Sequence, residues 1–140
     1  MSSILQIKIP CKPLTTNHIY GRSRFGSTFL KKEAKDFKKF VSSLVQSTID
    51  FKEGKHFISV EYYFYLTSLY TKAGKINKKS IDLDNCLKIL QDSIFDKLGI
   101  NDAFVLDQKS FKRYGENDCI FVIIRAERIE AIDNIEIRLS

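Results

Sequence analysis

Residues 56–66 of the 140-residue chain read HFISVEYYFYL, and this stretch indicates the class of fold. It is rich in β-branched and aromatic side chains and is bounded by turn-forming residues, which is typical of a β-strand. On either side of it, hydrophobic residues recur every three or four positions, as they do in a helix with one buried face. The first helix is predicted over residues 30–48, with a buried stripe formed by Ala34, Phe37, Val41, Leu44 and Val45.

The second helix is predicted over residues 84–98, and Gly99 follows it at the position of a C-terminal cap. Its buried stripe comprises Leu87, Leu90, Ile94 and Leu98. Residues 14–28 and 67–80 are polar and are predicted to be loops. Further strands are predicted at residues 2–9, 104–114 and 119–126, the last two around a turn centred on Gly115, with a possible short strand at 135–139. The order β-α-β-α-β-β predicts one domain over residues 1–140, of the α/β class (α+β type) with a mixed sheet.

The composition excludes several classes of protein. Hydrophobic residues make up 44% of the chain and charged residues 29%, which argues against disorder. No apolar run approaches the ~20 residues that cross a bilayer, and the N-terminus lacks a signal-peptide pattern. Because Cys11, Cys86, Cys119, His18 and His56 are isolated from one another, neither a disulfide framework nor a zinc site is expected. These features predict a cytoplasmic protein without a membrane partner.

Positive charge is clustered along the chain, although the net charge of +6 is modest. Residues 22–39 contain seven lysines and arginines against two acids, and residues 72–79 contain four lysines and no acid. Such clusters can bind a polyanion such as DNA. On a single helix, however, a lysine-rich face is more often only a solvated face, so DNA binding is favoured here only if a catalytic site lies nearby.

The segment SIDLDNCLK, residues 80–88, contains the residues best suited to catalysis. If the backbone before the helix is extended, Asp82 and Asp84 project to one side with Cβ atoms ~7 Å apart. Two carboxylates so placed can bind Mg²⁺, which prefers oxygen ligands. Lys88 lies one helical turn from Asp84 and could stabilise negative charge on a phosphate, and Asn85 shares its face. The alternative is that one aspartate caps the helix and that Asp84 and Lys88 form a surface pair.

A second acidic element, Asn101-Asp102, follows the second helix. That helix is roughly 20 Å long, so Asp102 starts at the far end from Asp84 and can reach the first element only if the chain folds back. The strand predicted to follow could provide this return. The alternative is an ordinary Asn-Asp turn, which the residues taken alone favour.

Together these residues resemble the RusA family of Holliday-junction resolvases. The resemblance runs from the entry loop with Asn17 and Tyr20, through the lysine-rich helix and IDLDNCLKILQDSI, to IND, Val105 and Lys112. It implies a small homodimeric nuclease that nicks two opposed strands of four-way DNA junctions in recombination and repair. It also implies that Mg²⁺ is the cofactor, with Mn²⁺ as a substitute, and that the protein is nucleoid-associated and encoded by a bacterium or a phage.

The resemblance also assigns roles to individual residues. Asp82, Asp84 and Asp102 match the three metal-binding aspartates of the family, and Lys88 matches its required lysine. Asp92 matches a recurrent acid on the helix. The chain departs from the family at Asn101, where relatives usually have an acid. The candidate DNA-binding residues are Arg22, Arg24, Lys31, Lys35, Lys38, Lys72, Lys75, Lys78, Lys79 and Asn85.

Three alternative functions remain open from the sequence. The chain could be a nuclease for flaps or single strands, and comparing matched four-way, flap and linear substrates separates this from junction resolution. It could bind junctions without cutting them, which the asparagine at position 101 keeps open. It could also be an interaction domain whose acids coincide with the family pattern, but the spacing of the two aspartates, Asn85 and Lys88 argues against this.

Overall fold

Two helices pack against one face of a four-stranded mixed sheet, which confirms the predicted α+β class. The computed structural model describes residues 3–14, 20–22, 28–30, 32–81 and 83–134. Its strands are β1 (Ile4–Ile9), β2 (Tyr20–Arg22), β3 (Thr28–Leu30), β4 (His56–Leu66), β5 (Val105–Tyr114) and β6 (Cys119–Arg128). Its helices are α1 (Lys32–Leu44) and α2 (Asp84–Leu98), with short 3-10 helices at Asp102–Phe104 and Ile129–Asn134.

The order of strands in the main sheet is β1-β6-β4-β5, so the aromatic strand β4 is central. β5 runs parallel to β4, and β6 runs antiparallel to it. Because parallel neighbours need a long crossover, α2 connects β4 to β5 across the face of the sheet. The crossover starts beside the end of β4 and returns the chain to the start of β5, which places the acidic segments on either end of α2.

The two strands predicted around the Gly115 turn are present, but β5 and β6 do not pair with each other. The two strands lie on opposite sides of β4, so the turn crosses the end of that strand instead of closing a hairpin. The Gly115 N–H donates to the Leu66 carbonyl oxygen at 3.2 Å where the chain crosses. The central position of β4 agrees with its apolar content, since its inward side chains Tyr62 and Phe64 are fully buried.

The hydrophobic stripes predicted for both helices form the core. Ala34 and Val41 of α1 and Leu90 and Ile94 of α2 are completely buried. The two helices also pack against each other, and β1 and β6 contribute their alternate residues to the same core. Cys11, Cys86 and Cys119 are not joined by disulfide bonds. Neither helix in the described part of the chain is long and apolar enough to cross a bilayer.

Several predicted boundaries differ from the structure. α1 begins at Lys32 because Leu30 ends β3, which pairs with β2 in a separate two-stranded sheet that was expected to be loop. α1 also ends at Leu44, earlier than predicted. Phe104 belongs to a 3-10 helix instead of β5, and β6 continues to Arg128. The strand predicted at 135–139 lies outside the described residues.

Candidate active site

The start of α2 differs from the extended segment that was expected. Leu83 has helical backbone angles, φ −58° and ψ −40°, and its carbonyl oxygen accepts from the N–H groups of Cys86 and Leu87 at 3.1 and 3.2 Å. Its side chain packs against the core and forms no cap. Asp84 is thus the exposed first residue of the helix, where an acidic side chain interacts favourably with the helix dipole. Asp82 lies outside the described residues.

The end of α2 turns the chain back as the sequence predicts. Gly99 adopts a left-handed conformation with φ 70°, and the Ile100 N–H donates to the Phe95 carbonyl oxygen at 3.2 Å. The Asn101 side chain then accepts a hydrogen bond of 2.9 Å from the Ala103 N–H, which caps the 3-10 helix that begins at Asp102. The asparagine that departs from the family pattern therefore has a structural role in orienting Asp102.

Asp102 lies beside the middle of α2, next to Asp92. Burial raises the pKa of Asp92, the positive charge of Lys88 lowers it, and the negative charge of Asp102 raises it further. Burial also raises the pKa of Tyr62 far above its usual range, and the charges of Asp102 and Asp92 add to this increase. The Tyr62 hydroxyl donates a hydrogen bond of 2.7 Å to Gln91 Oε1. The charges of two carboxylates from separate chain segments thus both act on a buried tyrosine of the central strand.

A cavity of about 410 Å³ opens at this point on the surface. Three carboxylates line it, those of Asp92, Asp96 and Asp102, together with Asn101 and apolar residues at the end of α2. Lys38 of α1 borders the cavity, since its Nζ lies 3.3 Å from Asp96 Oδ2. The lysine-bearing helix α1 is therefore adjacent to the acidic site. A lysine-rich helix face favours a role in DNA binding when such a site lies nearby.

Two further lysines, one on α2 and one on β5, lie near the first half of α2. Lys88 is exposed one turn after Asp84 and one turn before Asp92, so its charge can act on both. Lys112 of β5 donates a hydrogen bond of 3.0 Å to Ser80 Oγ, just before the helix. Because β5 runs from Asp102 towards Lys112, the strand connects the acidic cavity with the start of α2.

The structure brings together only part of the predicted metal site. Asp102 folds back onto α2, but its acidic neighbour there is Asp92, which lies about 12 Å along the helix axis from Asp84. Over the described ranges, from which Asp82 is missing, no three Asp, Glu, His or Cys side chains form a group that could hold a metal ion. The carboxylates present are hard oxygen donors without cysteine or histidine, which suits Mg²⁺ better than zinc.

Asp92 was matched only to a recurrent acid of the family, and Tyr62 was not singled out from the sequence. Asp92 follows Lys88 by four residues, so helical spacing places both on one face of α2. Tyr62 occupies an inward position of β4, which the alternation along that strand indicates. What the sequence could not indicate is that the chain after α2 returns as far as Asp92.

The candidate DNA-binding residues fall into three groups. Lys35 on α1 and the four lysines between positions 72 and 79 are exposed. Lys38 is paired with Asp96, so part of its charge is balanced. Arg24 and Lys31 lie outside the described residues, and the side chains of Arg22 and Asn85 are not described.

Asn101→Ala is expected to destabilise the fold by about 1 kcal/mol, because the N–H of Ala103 loses its side-chain acceptor. Asn101→Asp keeps an acceptor oxygen at this position and is expected to retain wild-type stability within about 0.5 kcal/mol. Urea unfolding of the two variants measures the difference. Equal stability of both variants would show that the cap does not hold the turn.

The sequence was also compared with known protein families and curated proteins. A family model described as Endodeoxyribonuclease RusA matches residues 10–125, which is most of the chain. The match includes both helices, the central strand and every acidic residue discussed above. No curated protein matches the chain.

Proposed function

Because the chain belongs to the RusA endodeoxyribonuclease family, we propose that it is a Mg²⁺-dependent nuclease that resolves four-way DNA junctions by paired nicks in recombination and repair. Family membership supports hydrolysis of phosphodiester bonds in DNA. The observation that carries the more specific proposal is the return of Asp102 onto the face of α2 that bears Lys88 and Asp92. Asp92 and Lys88 of α2 and Asp102 of the following segment then lie on one surface of the protein.

The residues of this chain have separate tasks in the proposed reaction. Asp82 and Asp84 would hold Mg²⁺ at the start of α2, and the proposal requires Asp102, whose acidic neighbour in the structure is Asp92, to move towards them when the metal binds. A bound Mg²⁺ would supply an acidified water and charge stabilisation for phosphodiester hydrolysis. Lys88 would stabilise negative charge on the phosphate, and the backbone N–H groups at the start of α2 would help to orient it.

The proposed DNA surface combines α1 with a structured hairpin over residues 67–80. Tyr70 and Ile76 form an antiparallel bridge in this hairpin, and the Asn77 N–H donates to the Leu69 carbonyl oxygen at 2.8 Å. The side chain of Asp118 fixes its base by accepting from the Thr67 N–H at 2.8 Å. The hairpin ends two residues before Asp82, so DNA held by its lysines would lie next to the catalytic acids.

The tip of this hairpin has the character of a wedge for a branch point. Ile76 is 74% exposed and Tyr70 is 50% exposed, an unusual degree for large apolar side chains in a hydrogen-bonded hairpin. Lys72, Lys75 and Lys78 are close to them in the sequence of the hairpin and are exposed. Apolar side chains flanked by cations can enter between unstacked bases while the cations hold the phosphates. We propose that this tip enters the centre of the junction.

Replacing Lys72, Lys75, Lys78 and Lys79 together by alanine is expected to weaken junction binding and to flatten its dependence on salt. Every lysine that no longer neutralises a phosphate lowers the slope of log K against log salt by about 0.9, so the largest expected change is about 3.6. Fluorescence anisotropy of a labelled junction, from about 50 to about 200 mM salt, measures this slope. An unchanged slope would exclude the hairpin from the DNA surface.

The experiment that tests the proposed function is cleavage of a synthetic four-way junction, compared with matched flap, single-stranded and linear duplex DNA. Paired nicks across the junction with Mg²⁺, and none with EDTA, are expected. Mn²⁺ is expected to replace Mg²⁺. Preferential cutting of the flap or the single strand would show that the chain is a flap or single-strand nuclease and not a junction resolvase. Metal-independent cutting would contradict the proposed Mg²⁺ cofactor.

Paired nicks also require two active sites. A homodimer with two-fold symmetry supplies them, since each copy then presents the same site to one of two opposed strands. We therefore propose that the active form is a homodimer.

A further inference from the structure

Two exposed tyrosines meet beside the end of β5. Tyr114 is the last residue of that strand and is 54% exposed, and Tyr70 of the hairpin over residues 67–80 is 50% exposed. Their ring centroids lie 6.2 Å apart and their planes are tilted by 36°, so the rings contact each other while about half of each residue remains open to solvent. We call these two residues the tyrosine pair. Exposed aromatic rings of this kind can stack on a base.

The backbone that carries the tyrosine pair is fixed by hydrogen bonds and by the core. Tyr70 follows Leu69, which packs in the core and whose carbonyl oxygen accepts from the Asn77 N–H at 2.8 Å. Tyr114 pairs in the strand register with Leu66, the last residue of β4 before the hairpin. Both rings therefore have a defined place relative to the sheet, which a side chain that positions a ligand requires.

Tyr114 lies on the side of β5 that faces the start of α2. Residues two apart on a strand point to the same side, so Tyr114 shares this side with Lys112, roughly 7 Å away. The Nζ of Lys112 donates a hydrogen bond of 3.0 Å to Ser80 Oγ. In the sequence, Ser80 precedes Asp82 and Asp84, the candidate metal ligands. The tyrosine pair is therefore close to the place where the proposed function cuts the DNA strand.

The charges around the tyrosine pair favour nucleic acid as its occupant. Residues 67–80 contain four lysines and no acid, and Lys112 adds another positive charge nearby. An apolar protein surface would gain nothing from these charges. The phosphates on either side of a stacked base are attracted to them, and base stacking combined with backbone contacts is how proteins bind unpaired strands.

We propose that Tyr114, together with Tyr70, is the stacking site for the unpaired base next to the phosphate that is cut. Tyr70 pairs with Ile76 across the hairpin and contacts Tyr114 on its other side, so apolar side chains lead from the hairpin tip to the end of β5. A base that the tip separates from its neighbours then lies against Tyr114, and its phosphate is held at the start of α2. The proposal rests on the proposed function and gives a residue outside the hairpin a positioning role.

The first test compares two replacements of Tyr114 in single-turnover nicking of a four-way junction. Tyr114→Leu keeps an apolar contact with Tyr70 but has no ring, and it is expected to slow nicking about 10-fold, as loss of one base stack should. Tyr114→Phe keeps the ring and is expected to stay within about 2-fold of the wild type. If Tyr114 only packed on Tyr70, leucine would serve as well as phenylalanine. Equal rates for the two variants would therefore overturn the proposal.

Junction binding is the readout that separates positioning from general loss of affinity. Stacking on the ring offsets the cost of unstacking the base within the DNA. Without the ring, the bound junction keeps this base stacked in an unproductive form, while the lysines still hold the phosphates. Anisotropy should therefore show binding by both variants within about 3-fold of the wild type. A loss of binding by Tyr114→Leu that matches its loss of rate would contradict the positioning role.

The second test does not depend on cleavage. Junctions that carry 5-iododeoxyuridine at single positions around the branch point are bound in EDTA and irradiated, because this base crosslinks to an aromatic ring stacked on it. Mass spectrometry is expected to find the crosslink at position 114 in the wild type and in Tyr114→Phe, and to find none there in Tyr114→Leu. A crosslink at position 114 in a wild type that cuts no DNA would refute the nuclease and leave the stacking site. Cleavage without a crosslink at this position would do the reverse.

Discussion

Asp102→Asn is expected to reduce nicking of a four-way junction about 1000-fold while leaving junction binding nearly unchanged. Loss of one of the proposed metal-binding carboxylates should remove about 4 kcal/mol of transition-state stabilisation, which corresponds to that factor in rate. The proposed DNA surface consists of the lysines of α1 and of the hairpin, which this substitution does not touch. Single-turnover cleavage and anisotropy of the same labelled junction measure the two effects separately.

The same substitution should not destabilise the fold. Asp102 is exposed, and after burial, which is the main cause of the raised pKa of Asp92, the charge of Asp102 adds to that increase. Removing one of two like charges relieves this repulsion, so the free energy of unfolding should stay equal or increase slightly. Loss of activity together with a loss of stability would instead identify Asp102 as a structural residue of the turn.

Asp84→Asn is expected to behave in the same way at the other end of α2, and Glu53→Gln provides the matched control. Glu53 is exposed in the turn before β4 and lies in no part of the proposed site, so its loss should leave cleavage unchanged. If either aspartate variant cleaves at a rate close to that of the control, that carboxylate is not needed for cleavage. This result would contradict the proposed function.

The sequence predicted those features that local interactions determine. α2 begins and ends at the predicted residues, because its apolar stripe has helical spacing and Gly99 supplies the left-handed cap. The buried stripe of α1 was also predicted, although the helix is shorter. β2 and β3 were missed since three-residue strands contain too few side chains to show an alternation.

The site was only partly predictable, because its geometry depends on contacts between distant segments. Lys88 and Asp84 share one face of a helix, which spacing alone indicates. The position of Asp102 depends on how sharply the chain turns after Gly99, and the cap by Asn101 sets that direction. The extended backbone assumed for Leu83 is helical in the structure because its side chain packs on the core.

The order of the strands required information that no local pattern contains. Gly115 between two strand-like segments is typical of a hairpin, yet the segments are separated by β4. The crossing works because glycine has no side chain: a Cβ at this position would lie 2.8 Å from the Cβ of Tyr65 and 3.1 Å from the carbonyl oxygen of Asn117. The glycine that suggested a hairpin is thus needed for a different reason.

Gly115→Ala is therefore expected to destabilise the fold by about 3 kcal/mol, since the clash involves a rigid Cβ atom of the central strand. To relieve it, the turn must move away from β4 and weaken the hydrogen bond between the Gly115 N–H and the Leu66 carbonyl oxygen. Urea unfolding at a fixed protein concentration measures the change in free energy.

Gly74→Ala separates this steric effect from the conformational freedom of glycine. Gly74 has a φ of 79° with open space around its Cα, so alanine there should cost only the ~1 kcal/mol of a left-handed backbone. Gly115 has no such positive φ and has the close contact instead. If Gly115→Ala proves no more destabilising than Gly74→Ala, the chain does not cross β4 as closely as described. The positions of β5 and of Lys112 on it would then have to be revised.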